Sequence, residues 1–134
     1  SRAGNYQQGD ARRVMSQVLK EFDSIDAVLS ANDSMALGAL EALKDAGRDA
    51  IVIGINGILP AVKEIEAGNM LASVDFNMFK IGCTATSAAL RHLKGEPVPE
   101  TIMLPADIID GGNYQAWLVP VAQRDCPAWN EVVR

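Results

Sequence analysis

Polar side chains stand where three apolar segments of the chain end. They are Asn32 and Asp33 after residues 25–29, Asn56 after residues 51–55, and Asp75 and Asn77 after residues 71–74. An asparagine amide both donates and accepts hydrogen bonds, whereas an aspartate carboxylate accepts them. Such a set suits ligand hydroxyl groups, because each hydroxyl also donates and accepts.

Each of these residues also has a structural explanation. Asp33 fits the N-cap of the helix that follows, and we expect it to cap that helix. Asn32 is then the better candidate for ligand contact. Asn56 lies between two glycines at positions 54 and 57, and it fits a turn as well as a site. Asp75 and Asn77 equally fit the start of a new segment.

The elements that must position these residues follow an α/β rhythm. Short β-branched runs recur roughly every 20 to 25 residues with amphipathic segments between them. The pattern predicts helices over 9–22, 33–46, 60–68 and 81–93, strands over 25–29, 51–55 and 71–74, and extended chain over 101–104 and 108–109. We therefore predict a Rossmann-like parallel sheet with flanking helices, in which all three polar strand ends open on one edge. The apolar run 51–55 is typical of a strand covered on both faces.

Composition limits the classes of partner. The 134 residues are 49% hydrophobic and 22% charged, with a formal net charge of −5. This acidity argues against nucleic acid, whose phosphates are usually met by a basic surface. It also argues against an anionic membrane surface. No apolar run reaches the roughly 18 residues of a membrane span.

Motifs for catalysis or cofactor binding are weak. Residues 54–57 do not match the glycine-rich dinucleotide pattern, and no P-loop occurs, so we expect no nucleotide cofactor. The single histidine, His92, lies late in a predicted helix, away from the strand ends. It has no clustered Cys or Glu with which to hold a metal. We therefore expect neither a metal site nor an enzyme.

The two cysteines and the start of the chain are less informative. Cys83 and Cys126 do not define a disulfide framework, and we favour two small buried hydrophobic residues over a pair. No signal-peptide pattern opens the chain, and we expect Ser1 to mark a fragment boundary rather than a native start.

One long motif carries a family resemblance. Residues 31–47, Ala-Asn-Asp-Ser-Met-Ala-Leu-Gly-Ala-Leu-Glu-Ala-Leu-Lys-Asp-Ala-Gly, resemble the ribose-binding-protein-like solute receptors of bacterial ABC transporters. Later landmarks follow in the same order, at residues 51–57, 61–62, 67–72, 80–82 and 93–96. The resemblance covers nearly the whole chain.

The resemblance implies the C-terminal half of a two-lobed type I periplasmic sugar-binding protein. Residues 1–75 would form much of the second lobe, and residues 76–110 would return to the first lobe with a helix and a strand. Residues 111–134 would be a crossing strand and an irregular tail. Hinges would lie near 76–78 and near 110–113.

The resemblance also implies a ligand set of Asn32, Asn56, Asn77 and Tyr6. Asn32 matches the ligand-binding asparagine of the family's Asn-Asp pair. Asn56 stands where many relatives have aspartate, and this departure removes a carboxylate that would accept two hydroxyls. Asn77 falls near a ligand-binding glutamine. Tyr6 falls near an aromatic residue that packs on the sugar, although it also fits a residue covering the edge of the core.

The implied function is capture of a monosaccharide or polyol in the periplasm for an ABC permease. The remaining partner would be the missing N-terminal half or a second copy of the chain. The runner-up is the effector domain of a sugar-responsive transcriptional repressor, which shares this fold and helix. Residues 71–75 lack the Pro-Pro-Leu-Thr that repressors usually show before their third strand.

Overall fold

Helices and strands alternate through the first two thirds of the chain, as the apolar periodicity predicts. The computed structural model describes residues 1–133. Its helices are α1 (Gln8–Glu21), α2 (Asp33–Asp45), α3 (Leu59–Glu66), α4 (Met78–Leu93) and α5 (Trp129–Val132), and its strands are β1 (Ala27–Leu29), β2 (Ile51–Ile55), β3 (Ala72–Asp75) and β4 (Asp107–Asp110). Short 3-10 helices span Tyr114–Trp117 and Val121–Gln123. No helix in residues 1–133 is long and apolar enough to cross a membrane.

The four strands form one mostly parallel sheet in the order β1-β2-β3-β4. The first three strands are parallel, with Leu29 beside Ile53. The fourth strand runs antiparallel, with Asp107 beside Asp75, so the expectation of a parallel sheet is wrong for this strand. The reason is that α4 and the segment after it return the chain to the edge where β3 ended. Residues 101–104 join no strand of the described chain.

Helices α1 and α2 pack closely because Gly38 leaves room at their crossing. A Cβ at Gly38 would overlap the backbone oxygen of Gln8. Below this pair lies a core of buried apolar side chains: Met15, Ala36, Ala39, Ala42, Leu43, Val52, Ala61, Val62, Ile65, Met70 and Ile109. The small alanine side chains of α2 allow the helix to lie close to the sheet. This packing fixes the start of α2 relative to the strand ends.

One face of the sheet carries this core and the other remains open. Val52 is fully buried, whereas its neighbour Ile51 points to the other face and is exposed. Leu29 and Ile108 lie on that open face with 79% and 63% of their surfaces exposed. The prediction that β2 is covered on both faces is therefore wrong for this chain. An apolar sheet face of this kind is normally covered by another element.

The C-terminal segment is attached to β3 by a hydrogen bond and to α4 by a disulfide. Trp117 packs against the core and donates its Nε1–H to Asp75 Oδ2 at 2.7 Å. Cys126 forms a disulfide with Cys83 of α4, with a Cα–Cα distance of 5.6 Å. Our preference for two unpaired cysteines is therefore wrong. The pairing was hidden because 43 residues separate the two positions, and only the fold brings them together.

Candidate functional site

The carboxyl ends of β1, β2 and β3 open on the same edge of the sheet, since these strands are parallel. Asn32, Asn56 and Asn77 each follow one of these strands within three residues. Asp107 joins them because β4 is antiparallel and therefore begins at this edge. The topology thus gathers three amides and a carboxylate along one edge.

At the start of α2, Asn32 rather than Asp33 caps the helix. Asn32 is the N-cap: its backbone is extended, and its Oδ1 accepts a hydrogen bond from the backbone N–H of Met35 at 2.9 Å. Its Nδ2 donates to the backbone oxygen of Tyr6 at 3.3 Å. The expectation that Asp33 caps the helix is therefore wrong. Asn32 remains half-buried, and its amide retains one donor hydrogen and one acceptor lone pair.

Asp33 instead turns inward and joins the strand ends. Its side chain is fully buried; Oδ1 accepts from the Ser73 hydroxyl at 2.6 Å, and Oδ2 accepts from the backbone N–H of Ile58 at 2.9 Å. Burial raises the pKa of the Asp33 carboxyl above its ordinary value, although these hydrogen bonds act in the opposite direction. Asp75 nearby adds a smaller repulsive contribution that also raises this pKa. The carboxylate therefore links β1, β2 and β3 without facing solvent.

Asn56 follows β2 in an unusual backbone conformation. Its φ is +120°, a value that residues other than glycine rarely adopt. Its backbone N–H donates to Val74 O at 2.8 Å. Within residues 1–133 its half-buried side chain makes no hydrogen bond by the usual geometric criteria. This amide is the member of the set with all of its hydrogen-bonding capacity uncommitted in the described chain.

Asn77 is the most deeply buried of the three asparagines. It has a left-handed backbone, with φ 60° and ψ 53°, and it precedes α4. Its backbone N–H donates to Asp75 Oδ1 at 2.7 Å, and its Nδ2 donates to Asp107 Oδ2 at 2.6 Å. Its side chain is buried. Any ligand contact by Asn77 is thus restricted to the capacity that these bonds leave.

Asp107 is a polar residue of this edge that sequence reasoning missed. Its carboxylate accepts from Asn77 and lies 3.9 Å from the Lys80 ammonium group. The local sequence offers no signal for it, because Asp107 precedes rather than follows a strand. Only the antiparallel direction of β4 brings it to the carboxyl ends of the parallel strands.

Tyr6 lies next to Asn32 through its backbone rather than its ring. Its carbonyl accepts the Asn32 bond, and both Asn5 and Tyr6 have positive φ values of 50° and 56°. The side chain is 67% exposed, so it does not cover the core. Gly4 allows this N-terminal segment to lie close to α2, since a Cβ at Gly4 would crowd the Met35 sulfur.

The chemistry of this edge is that of a polar binding surface. Its groups donate and accept hydrogen bonds, and the described residues include no cluster of three or more His, Cys, Asp or Glu side chains that could hold a metal ion. The single histidine, His92, lies in the last turn of α4.

Comparison with known proteins identifies the family. Residues 1–97 match the family described as "Periplasmic binding protein domain". The chain belongs to this family. A ribose import binding protein, RbsB of Bacillus subtilis, is 41% identical over 92 residues, which are 69% of this chain and 30% of that protein.

Solved structures of family members have the same fold. A solute-binding protein from Actinobacillus succinogenes with bound D-allose aligns with a TM-score of 0.80 at 25% identity, over 84% of this chain and 40% of that one. One from Bacillus halodurans with bound myo-inositol aligns with a TM-score of 0.76 at 30% identity, over 84% and 39%. The present chain thus spans well under half the length of these relatives. The predicted α/β fold and family resemblance are both confirmed.

Proposed function

We propose that this chain forms one side of an inter-lobe cleft in the substrate-binding component of an ABC-type sugar importer. The observation that carries the proposal is the row of asparagines at the carboxyl edge of the sheet, at Asn32, Asn56 and Asn77. Amides recognise hydroxyl groups in both directions, so the edge is suited to a monosaccharide or polyol. The sugars and the inositol bound by the two structural relatives support the same class of ligand.

The proposed mechanism is reversible capture between two lobes. A ligand that contacts both lobes stabilises the closed arrangement relative to the open one, by its difference in affinity for the two. Residues 76–78 are a proposed hinge, and α4 with residues 94–106 is the proposed return to the first lobe. The strand expected in that return is instead part of the present sheet, because β4 pairs with β3 and Ile109 lies in the core. The closed form is then the species that a membrane permease recognises. We accordingly propose that the full protein acts in the periplasm and that its activity is binding rather than catalysis.

A sugar-responsive repressor is the alternative function. Its effector domain would use the same edge and the same ligand class, so the site alone does not distinguish the two. The import and solute-binding relatives make this alternative the weaker one. The N-terminal part of the full-length gene separates them: a secretion signal supports the receptor, and a basic helix-turn-helix domain supports the repressor.

The decisive test is the substitution Asn32→Asp in the full-length protein. The new carboxylate keeps an oxygen to cap the Met35 N–H, but it loses both Nδ2 hydrogens: the one that donates to Tyr6 O and the one proposed to donate to the ligand. We expect the affinity for a bound sugar to fall by about tenfold, because a buried ligand oxygen loses its donor. Titration calorimetry with D-ribose, D-allose and myo-inositol measures the effect.

The matched control is Asn69→Asp, in the turn before β3 at the opposite edge of the sheet. It adds the same charge to an exposed asparagine away from the proposed cleft. We expect its sugar affinity to equal that of the wild type. Equal affinities for Asn32→Asp and the wild type would reject Asn32 as a ligand contact.

A further inference from the structure

The loop that carries Asn56 is held in a strained conformation. Asn56 has a φ of +120°, and Gly57 follows at +64°. A non-glycine residue in such a region costs on the order of 1–3 kcal/mol and persists only where its surroundings impose it. Strain of this kind concentrates at ligand sites.

Three consecutive backbone amides of this loop are fixed from outside it. The acceptors come from β3 and from the first residue of α2: Val74 O for Asn56 N–H (2.8 Å), Ser73 Oγ for Gly57 N–H (3.1 Å) and Asp33 Oδ2 for Ile58 N–H (2.9 Å). The backbone has little freedom to relax while all three bonds exist. Two of the three acceptors are side-chain atoms, so particular residues impose this conformation.

Asp33 and Ser73 form one buried unit. Both are fully buried, and the Ser73 hydroxyl donates to Asp33 Oδ1 while it accepts from Gly57 N–H. Gly54 makes room for the pair, since a Cβ at Gly54 would overlap Asp33 Oδ1. Burying a carboxylate is costly unless its hydrogen bonds compensate. The pair holds the loop through the Ser73 hydroxyl, which accepts from Gly57 N–H, and the Asp33 carboxylate, which accepts from Ile58 N–H.

We propose that Asp33 and Ser73 are positioning residues that hold loop 56–58 in its strained form, so that the Asn56 amide is presented to the ligand. This inference rests on the proposed function, in which Asn56 contacts the sugar. The uncommitted side chain of Asn56 is the group being presented. Asp33 and Ser73 themselves are fully buried, so their role is to position the loop rather than to contact the ligand.

The test is a double-mutant cycle in the full-length protein. Ser73→Ala removes the hydroxyl that fixes Gly57, and Asn56→Gly removes the presented amide. Ser73→Ala should weaken binding of the tightest-bound sugar among D-ribose, D-allose and myo-inositol by about fivefold or more. In the Asn56→Gly background the same change should alter affinity by less than about twofold. Equal losses in both backgrounds, or no loss in either, would overturn the proposal.

Thr84→Val is the matched control for loss of a buried hydroxyl. Thr84 lies in α4, and its hydroxyl is buried without a hydrogen-bond partner in the described chain. Its removal should leave sugar affinity unchanged. If Ser73→Ala does not fold, Asp33→Asn replaces it in the cycle and weakens the same grip through the carboxylate.

A second measurement needs no ligand and separates this inference from the proposed function. Amide hydrogen exchange at Gly57 and Ile58 should accelerate in Ser73→Ala by about tenfold or more, while exchange at Val52 in β2 stays as in the wild type. Unchanged exchange at Gly57 and Ile58 would overturn the positioning role. If the wild type binds no sugar but exchange is accelerated in the variant, the proposed function is rejected. The role of Ser73 in holding the loop would then still be established.

Discussion

At the scale of single residues, Asp33 shows how a charged side chain tolerates complete burial. Its two oxygens accept from Ser73 and from Ile58 N–H, and it stands at the N-terminus of α2, where the helix dipole favours negative charge. Burial nevertheless outweighs these contributions, since the pKa of its carboxyl is raised. The Asp33 side chain therefore links β3 to the loop after β2, although burial disfavours its ionised form.

This raised pKa makes the stability of the protein depend on pH in a defined direction. Between the ordinary pKa of an aspartate and the raised pKa of Asp33, the native state keeps a proton on Asp33 that the unfolded chain has lost. The contribution of Asp33 to the unfolding free energy is therefore fully present below about pH 4 and is lost as pH rises through the raised pKa. The variant Asp33→Asn has no ionisable group at this position, so its unfolding free energy does not fall for this reason. The unfolding free energy of the variant minus that of the wild type should therefore increase with pH across this window.

Urea unfolding at a series of pH values measures this difference. Other carboxylates contribute to both proteins and cancel, apart from Asp75, whose charge acts on Asp33 directly. Asp75→Asn is the control. It removes this neighbouring charge but leaves the buried Asp33 able to ionise, so the unfolding free energy of this variant should still fall as pH rises. A pH-independent difference between Asp33→Asn and the wild type would contradict the assignment.

At the scale of elements, the C-terminal segment is bound to both the sheet and α4. Trp117 holds it to Asp75 of β3, while the Cys83–Cys126 disulfide and the stacking of Arg91 over Trp129 hold it to α4. A cross-link that closes a loop of this length stabilises a fold by about 4 kcal/mol in the chain-entropy description. The segment thus connects β3 with α4, which we propose to belong to different lobes.

The Trp117–Asp75 bond should contribute measurably to stability. Trp117→Phe keeps most of the apolar ring but leaves a buried carboxylate oxygen without its donor, so we expect unfolding free energy to fall by about 1–3 kcal/mol. Trp129→Phe is the matched control, because it alters another half-buried tryptophan, whose ring makes a cation–π contact. That change should cost less than about 1 kcal/mol. Chemical denaturation of both variants compares them, and equal losses would contradict the role of the bond.

At the scale of the whole molecule, the chain exposes apolar surface that an isolated domain would normally bury. Leu29 and Ile108 stand on the open face of the sheet, and α4 buries only Thr84 within the described structure. The chain also spans 30–40% of the length of the relatives reported above. Both facts fit a segment whose partners lie in the remainder of a larger protein.

The 134-residue chain on its own should therefore self-associate. Exposed apolar faces of this kind drive association, and light scattering should give a mass above that of one chain. Leu29→Lys, which puts a charge on the open sheet face, should lower the associated fraction. Gln17→Lys, on the exposed side of α1, adds the same charge and should not. A monodisperse wild-type monomer would contradict this prediction.

The local pattern of the chain was enough to establish the α/β class, the positions of β2 and α2, and the family. Periodicity and the motif at residues 31–47 are local properties, so they can be read without knowing the fold. They also located Asn32, Asn56 and Asn77 at strand ends, although their contact with a ligand stays a prediction. The role of Asn56 as turn or ligand residue was open, and its positive φ makes it a turn residue without removing its amide from the edge.

Only the tertiary structure decided the roles that depend on distant partners. Asn32 rather than Asp33 caps α2 because Ser73, 40 residues away, and Ile58 draw the Asp33 carboxylate inward. Asp107 reaches the site because β4 runs antiparallel. The cysteines pair because the C-terminal segment folds back on α4. Each outcome depends on contacts between residues far apart in sequence, and local propensity carries no information about them.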